Sequence, residues 1–185
     1  TGDDGLNTYR TFKPNACVIF PYRKNDKDKL EMIPLDDIMH DYPKLYKYLL
    51  AHENILNAAS RDIKPVPTTA SEWHRYGRHQ SLDACNLPKK IIVGVLSAGD
   101  KYAVDSFSTF VSSGGTAGYC MIALPEDSPY SIYYLQAILN CKYLEWISSL
   151  YGEIFGGGFI ARGTKVLKQL PIRKIDFQNN DERLA

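Results

Sequence analysis

The chain has 185 residues, 44% hydrophobic, 23% charged and 12% aromatic, with 13 tyrosines; this composition builds a real core and excludes disorder over most of the length. A formal net charge of +1 and a pI near 7.6 exclude a strongly basic, free-standing nucleic-acid binder, so any grip on DNA has to come from local placement of charge. Four scattered cysteines, Cys17, Cys85, Cys120 and Cys141, form no C-x-x-C pair and point to reduced thiols in a cytoplasm, and no apolar run approaches the ~20 residues of a membrane span.

Residues 1–15, without a start methionine, read as a flexible extension of something longer. "ACVIFPY" (Ala16 to Tyr22) and "LEMIPL" (Leu30 to Leu35), joined by a polar turn, predict a hairpin that starts the sheet. Leu45, Tyr48, Leu49, His52, Ile55 and Leu56 recur at helical spacing, which predicts one helix from Pro43 to about Ala59. The stretch from Arg61 to Lys90 is rich in proline and lacks a period, so it reads as a long ordered loop. "IIVGVL", "KYAVD", "FSTFV" and "YCMIAL" predict short strands that complete the sheet. Ser128 and Pro129 then predict the start of a long helix that Gly152 closes, and residues 177–185 read as a flexible tail.

The expected fold is α+β: one domain over residues 16–176, with a mixed, mostly antiparallel sheet flanked by the two helices.

Two stretches carry candidate chemistry. "GGGFIARGTK" almost matches a phosphate-binding loop, but Thr164 and Lys165 stand in exchanged order and follow a helix rather than a strand. The glycines instead predict a turn with positive φ at Gly156, Gly157 and Gly158. Phe159 and Ile160 then pack inward while Arg162, Lys165 and Lys168 point outward, unless Thr164 merely starts a solvated helix. "EWHRYGRHQ" (Glu72 to Gln80) is the second stretch, with Trp73 and Tyr76 as loop anchors around Gly77. Arginine forks suit guanine edges and phosphates, and glutamine suits adenine. The candidate DNA contacts are therefore Arg75, Arg78, His79 and Gln80 in one loop, and Arg162, Thr164 and Lys165 in the other, with Gly157 and Gly158 shaping the latter. His40, His52, His74 and His79 have no serine-nucleophile or H-E-x-x-H partner, and the pairs Asp3–Asp4 and Asp36–Asp37 suit chain ends or helix starts better than acid–base catalysis.

The succession "CVIFPY", "YPKLYKYLLAHENIL", "EWHRYGRHQ", "YYLQAILNCKYLEW" and "FGGGFIARGTKVLKQLPI" resembles the TaqI-like C-terminal specificity domain, over roughly Ala16 to Ile172. That domain is the target-recognition part of type IIG restriction-modification enzymes and N6-adenine DNA methyltransferases. The resemblance implies a DNA methylase specificity domain-like fold and a non-catalytic module that reads duplex DNA. It also implies a parent polypeptide whose methyltransferase domain is the intramolecular partner and holds S-adenosylmethionine, with Mg²⁺ confined to a possible endonuclease part. The chain carries no Asn-Pro-Pro-Tyr or Asp-Pro-Pro-Tyr motif, so neither cofactor is expected in it. A competing expectation is a protein-interaction module using the tyrosines and Trp146. A nucleotide-binding enzyme is a third.

Overall fold

The structure is a computed structural model that describes residues 16–57, 61–63, 70–77, 82–85, 87–98, 102–111 and 118–179. The expected N-terminal extension, 1–15, and the end of the expected tail, 180–185, lie outside the described residues. The chain divides into two compact units, Ala16–Asp83 and one that takes in Ala84–Ala185.

In the Ala16–Asp83 unit, β1 (Tyr22–Lys24) and β2 (Leu30–Met32) form an antiparallel hairpin; the first strand, expected over Ala16 to Tyr22, is shifted into the expected turn and shares only Tyr22 with that range. Each strand is three residues long, because Pro21 and Pro34 flank them without an N–H to extend a ladder. Asn25 builds the turn: its side-chain oxygen accepts the N–H groups of Lys27 and Lys29 at 3.0 and 3.1 Å, and Asp28 takes φ 57°. Across the pair Arg23 meets Glu31 at 3.3 Å, and it also reaches Asp37 at 2.8 Å.

An unexpected helix, α1 (Leu35–Asp41), comes first, and two helices, α2 (Pro43–Ala51) and α3 (Glu53–Leu56), replace the single one expected from Pro43 to Ala59. Pro43 disfavours helical backbone at the residue before it, so Tyr42 swings to φ −133° and α1 ends; the same proline starts α2. Asp36 and Asp37 lie in the first turn of α1, where the helix dipole favours them. At the end of α2 the His52 ring bonds the Tyr48 carbonyl at 2.8 Å. Ile38, Leu49 and Trp73 form this unit's core, with Leu45, Tyr46 and Leu56 packed against it.

After α4 (Leu82–Cys85) the second unit opens on β3 (Lys90–Gly94). It pairs with β5 (Tyr102–Asp105) on one side and β6 (Tyr119–Ile122) on the other, both antiparallel. Ile91 and Val93 face a large core shared with helices, while Ile92 and Ala103 pack with Val111 on the opposite face. A strand buried on both faces reads as an unbroken apolar run, as "IIV" does. That run does not continue as one strand. At Val95 the chain leaves this sheet, its N–H bonding the Gly118 carbonyl at 3.0 Å and its carbonyl accepting from the Arg162 N–H. β4 (Leu96–Ser97) then joins a different sheet with β7 (Ile154–Phe155) and β8 (Phe159–Ala161), in the order β4-β8-β7. Among the described residues there are thus three small antiparallel sheets rather than the single expected one, and the β1–β2 hairpin pairs with itself.

The expected strand "FSTFV" is a loop, because Asp105 takes its backbone donors. Its carboxylate accepts the N–H groups of Phe107 and Thr109 and the Thr109 hydroxyl at 3.0, 2.8 and 2.8 Å, and Ser108 is left at φ 52°. The same carboxylate holds Lys90 Nζ at 2.8 Å, and both side chains are fully buried.

The helix expected from Pro129 to Gly152 is two: α5 (Ile132–Leu139) and α6 (Lys142–Tyr151). Ser131, not Ser128, caps α5, accepting the Tyr133 N–H at 3.2 Å; Ser128 instead accepts the Tyr130 N–H in the preceding turn. The break at Asn140 has a tertiary cause. Its side chain takes both the N–H and the carbonyl of Tyr102, at 3.3 and 3.0 Å, and Gln136 adds a bond to that carbonyl at 3.1 Å. These amides satisfy the outer edge of β5, where a free strand edge would otherwise stand. After α6, Gly152 closes the helix as expected, and α7 (Thr164–Leu167) follows β8. Ile132, Leu139, Leu144, Ile147 and Leu170 complete the core over β3. At the start of the expected tail, Phe177 lies against Tyr130, ring centroids 5.4 Å apart.

Candidate nucleic-acid interface

The first candidate segment begins with the 3-10 turn Ala70–Glu72. Trp73 enters the core beside Ile38 and Leu49, which pins the segment at one point. Tyr76 pins it at another: its N–H donates to the Tyr22 hydroxyl at 2.7 Å, and its own hydroxyl donates to the Ile19 carbonyl. The Tyr76 ring meets those of Phe20 and Tyr22 edge-on. Burial raises the Tyr22 phenol above its ordinary value, so it stays a neutral hydroxyl at this junction. At Gly77 a Cβ would come within 3.2 Å of the Asp62 carbonyl, so the chain passes close there.

Arg75 is buried and its guanidinium bonds Glu72 at 2.6 Å. A second arginine, Arg61, ties the segment from behind, donating to the carbonyls of Leu56, Trp73 and Arg75, the last two at 3.0 and 2.8 Å. His74 is also buried and bonds the Ile33 carbonyl at 2.9 Å. Arg75, a candidate DNA contact from the sequence, is thus placed here inside the segment, where its ion pair with Glu72 braces it. Arg78, His79 and Gln80 lie outside the described residues.

The second candidate segment belongs to the other unit. Gly157 and Gly158 take φ 81° and 78° and turn β7 into β8; Gly156 does not need positive φ. Ile160 is buried and Phe159 partly so. Arg162, expected to point outward, points in and is fully buried. Its guanidinium donates to the Ser97 hydroxyl at 2.8 Å, to the carbonyls of Ser97 and Ile160, and to the Glu145 carboxylate. It thereby joins β4, β8 and α6. The physical reason is chain direction: Val95 and Arg162 are backbone partners, so the side chain projects among elements already packed there.

Thr164 and Lys165 open α7 and are exposed, while Val166 anchors the helix inward. Lys168, one turn later, is exposed too, and Arg173 and Lys174 continue a cationic run. Sequence reasoning named no contact role for Lys168 or Lys174; the signal was their spacing after Lys165. Nearby, burial pushes the Cys120 thiol up to about 11, which disfavours its thiolate. Burial likewise raises the Tyr102 phenol, the neighbouring Arg162 only partly offsetting it. Among the described residues no group of three or more His, Cys, Asp or Glu is placed to hold a metal ion. Exposed cations on a short helix that follows the glycine turn are suited to holding phosphate oxygens.

No protein-family model matches the chain. It is similar to a type II restriction enzyme and methyltransferase, RM.Eco57I of Escherichia coli, at 49% identity over 183 residues, or 99% of this chain. The chain spans 18% of that protein's length, so it corresponds to one segment of a restriction-modification enzyme. No helix among the described residues is long and apolar enough to cross a membrane.

Proposed function

We propose that this chain is the target-recognition part of a cytoplasmic restriction-modification enzyme, a TaqI-like specificity module of the type IIG kind that binds double-stranded DNA without catalysing a reaction itself. The observation that carries this reading is the 49% identity, along nearly the whole chain, to a segment of a restriction enzyme and methyltransferase. In a longer parent polypeptide, methyl transfer and any cleavage belong to other parts, which hold S-adenosylmethionine and Mg²⁺. This chain's share is recognition. Thr164 and Lys165 hold phosphates from the start of α7, and Arg78, His79 and Gln80 meet base edges or phosphates. Arg75 and Arg162 act one step back, through Glu72 and Glu145, by fixing the segments that carry those groups.

The test is retention of a labelled duplex pool by the parent polypeptide, intact and with Lys165→Ala and Lys168→Ala together. Retention that weakens steeply with added salt, and that the paired substitution weakens further on every sequence, is the expected result. Retention indifferent to both salt and the paired substitution would sink the reading. An unchanged melting temperature at millimolar ATP would dismiss the nucleotide-binding alternative.

A further inference from the structure

Helix α6 is apolar on two sides. One side, Leu144 and Ile147, is buried in the core over β3. On the other, Tyr143, Trp146 and Leu150 stand at i, i+3 and i+7, and they are 62%, 58% and 61% exposed. Tyr143 and Trp146 already lie together, ring centroids 6.1 Å apart. The exposed apolar series continues through Tyr151, the last residue of α6, to Ile154 and Phe155 in β7. A helix apolar on both sides is normally covered on both sides, and contiguous patches of this kind mark contact surfaces.

We propose that the Tyr143–Trp146–Leu150 stripe of α6 is a docking surface for another portion of the same longer polypeptide, seated in an apolar groove of that portion. This rests on the reading above that the chain is one segment of a longer enzyme. The first support is length: in a relative that matches 99% of this chain, the matched segment is 18% of the protein, so most of that polypeptide is available as an intramolecular neighbour. Chemistry is the second. None of the three stripe residues is cationic, whereas a DNA backbone calls for cations such as those around Lys165; the stripe has the i, i+3, i+7 anchor spacing of a helix laid in a protein groove. An intramolecular occupant also needs no high affinity, because tethering supplies the effective concentration.

The experiment is hydroxyl-radical footprinting of the full-length polypeptide without DNA, with each residue's labelling normalised to the denatured chain. Tyr143, Trp146 and Leu150 are expected to label several-fold less than Phe107 and Tyr133, which are comparably exposed here at 63% and 55%. The paired substitution Trp146→Glu and Leu150→Glu, at exposed positions, is expected to raise labelling of Tyr143 while leaving the buried Leu144 and Ile147 protected. Equal labelling of the stripe and the two reference residues overturns the proposal. So does protection that appears only when duplex is added, which would make the stripe a DNA surface, or protection that vanishes on dilution, which would make the occupant a second copy. Failure of DNA retention with the stripe still protected would defeat the recognition reading and leave the docking surface standing.

Discussion

Asp105 and Lys90 form a fully buried ion pair whose carboxylate also organises the loop through Phe107 and Thr109. Asp105→Asn keeps the shape and removes the charge, stranding an ammonium in the interior, so it should cost about 3–5 kcal/mol. The readout is a lower urea midpoint at unchanged slope. Burial by itself would raise the Asp105 carboxyl, but the bonds from Lys90, Thr109 and the Phe107 N–H outweigh it and hold the group below its ordinary value of 3.8. A carboxyl depressed in the folded state contributes stability above its unfolded value and loses that contribution as pH falls through the folded one. The gap between wild type and Asp105→Asn should therefore stay open at neutral pH and close only below about pH 3.8; closure between pH 5 and 7 would refute this assignment. Arg162 poses a similar contrast with Lys165. Arg162→Lys loses the fork that serves Ser97, Ile160 and Glu145 together, and it is expected to destabilise by about 2 kcal/mol or more. Lys165→Ala, at an exposed position, should stay within about 0.5 kcal/mol in a thermal melt. The sequence alone does not separate these two cations. Both follow the glycine run, and the difference lies in Ser97 and Glu145, which are 65 and 17 residues away from Arg162.

Local punctuation gave away most elements, and tertiary contacts redrew their ends. The β1–β2 hairpin, the β3 run, the glycine turn and the Gly152 stop follow from period and turn chemistry, and each is present. The break between α5 and α6 follows from neither, because its cause is the backbone of Tyr102, 38 residues before Asn140. Likewise "FSTFV" has strand composition, and it loses the ladder to a carboxylate. Three glycines in one segment then make a graded test of what backbone alone requires. Gly156→Ala meets nothing within 4 Å and should be neutral. Gly158→Ala also has open space, yet φ 78° places its Cβ in the left-handed region, at a cost of about 1–2 kcal/mol. Gly152→Ala should be the most damaging of the three, since its Cβ would stand 2.6 Å from the Ala161 carbonyl and 2.7 Å from Ile160 Cγ2, both held in the β8 segment. Equal melting temperatures for Gly156→Ala and Gly158→Ala would mean that the β7–β8 turn does not require positive φ, and a neutral Gly152→Ala would mean that the end of α6 does not lie against β8 as described.

At the scale of the whole chain, the formal charge of +1 limits how any DNA affinity can be built. A polyanion draws on each cation that touches it, and each phosphate neutralised adds about −0.9 to the slope of log K against log salt. Among the exposed cations of the described part, Lys165, Lys168 and Lys174 are taken as the contacting set, with Arg78 named from the sequence. If those four carry the backbone contacts, the isolated chain should bind duplex weakly with a slope near −4, by the same counterion rule. Lys165→Ala with Lys168→Ala should bring that slope to about −2, and the loss should be the same for every duplex, because phosphate contacts carry no sequence information. Substituting Gln80 with alanine, by contrast, should leave the slope alone and relax preference among sequences, as expected of a base-edge contact. Fluorescence anisotropy across a salt series reads both quantities from one experiment. A slope that the lysine pair leaves unchanged would move the phosphate contacts off α7, whereas a slope that falls with the Gln80 change would make that loop a backbone clamp.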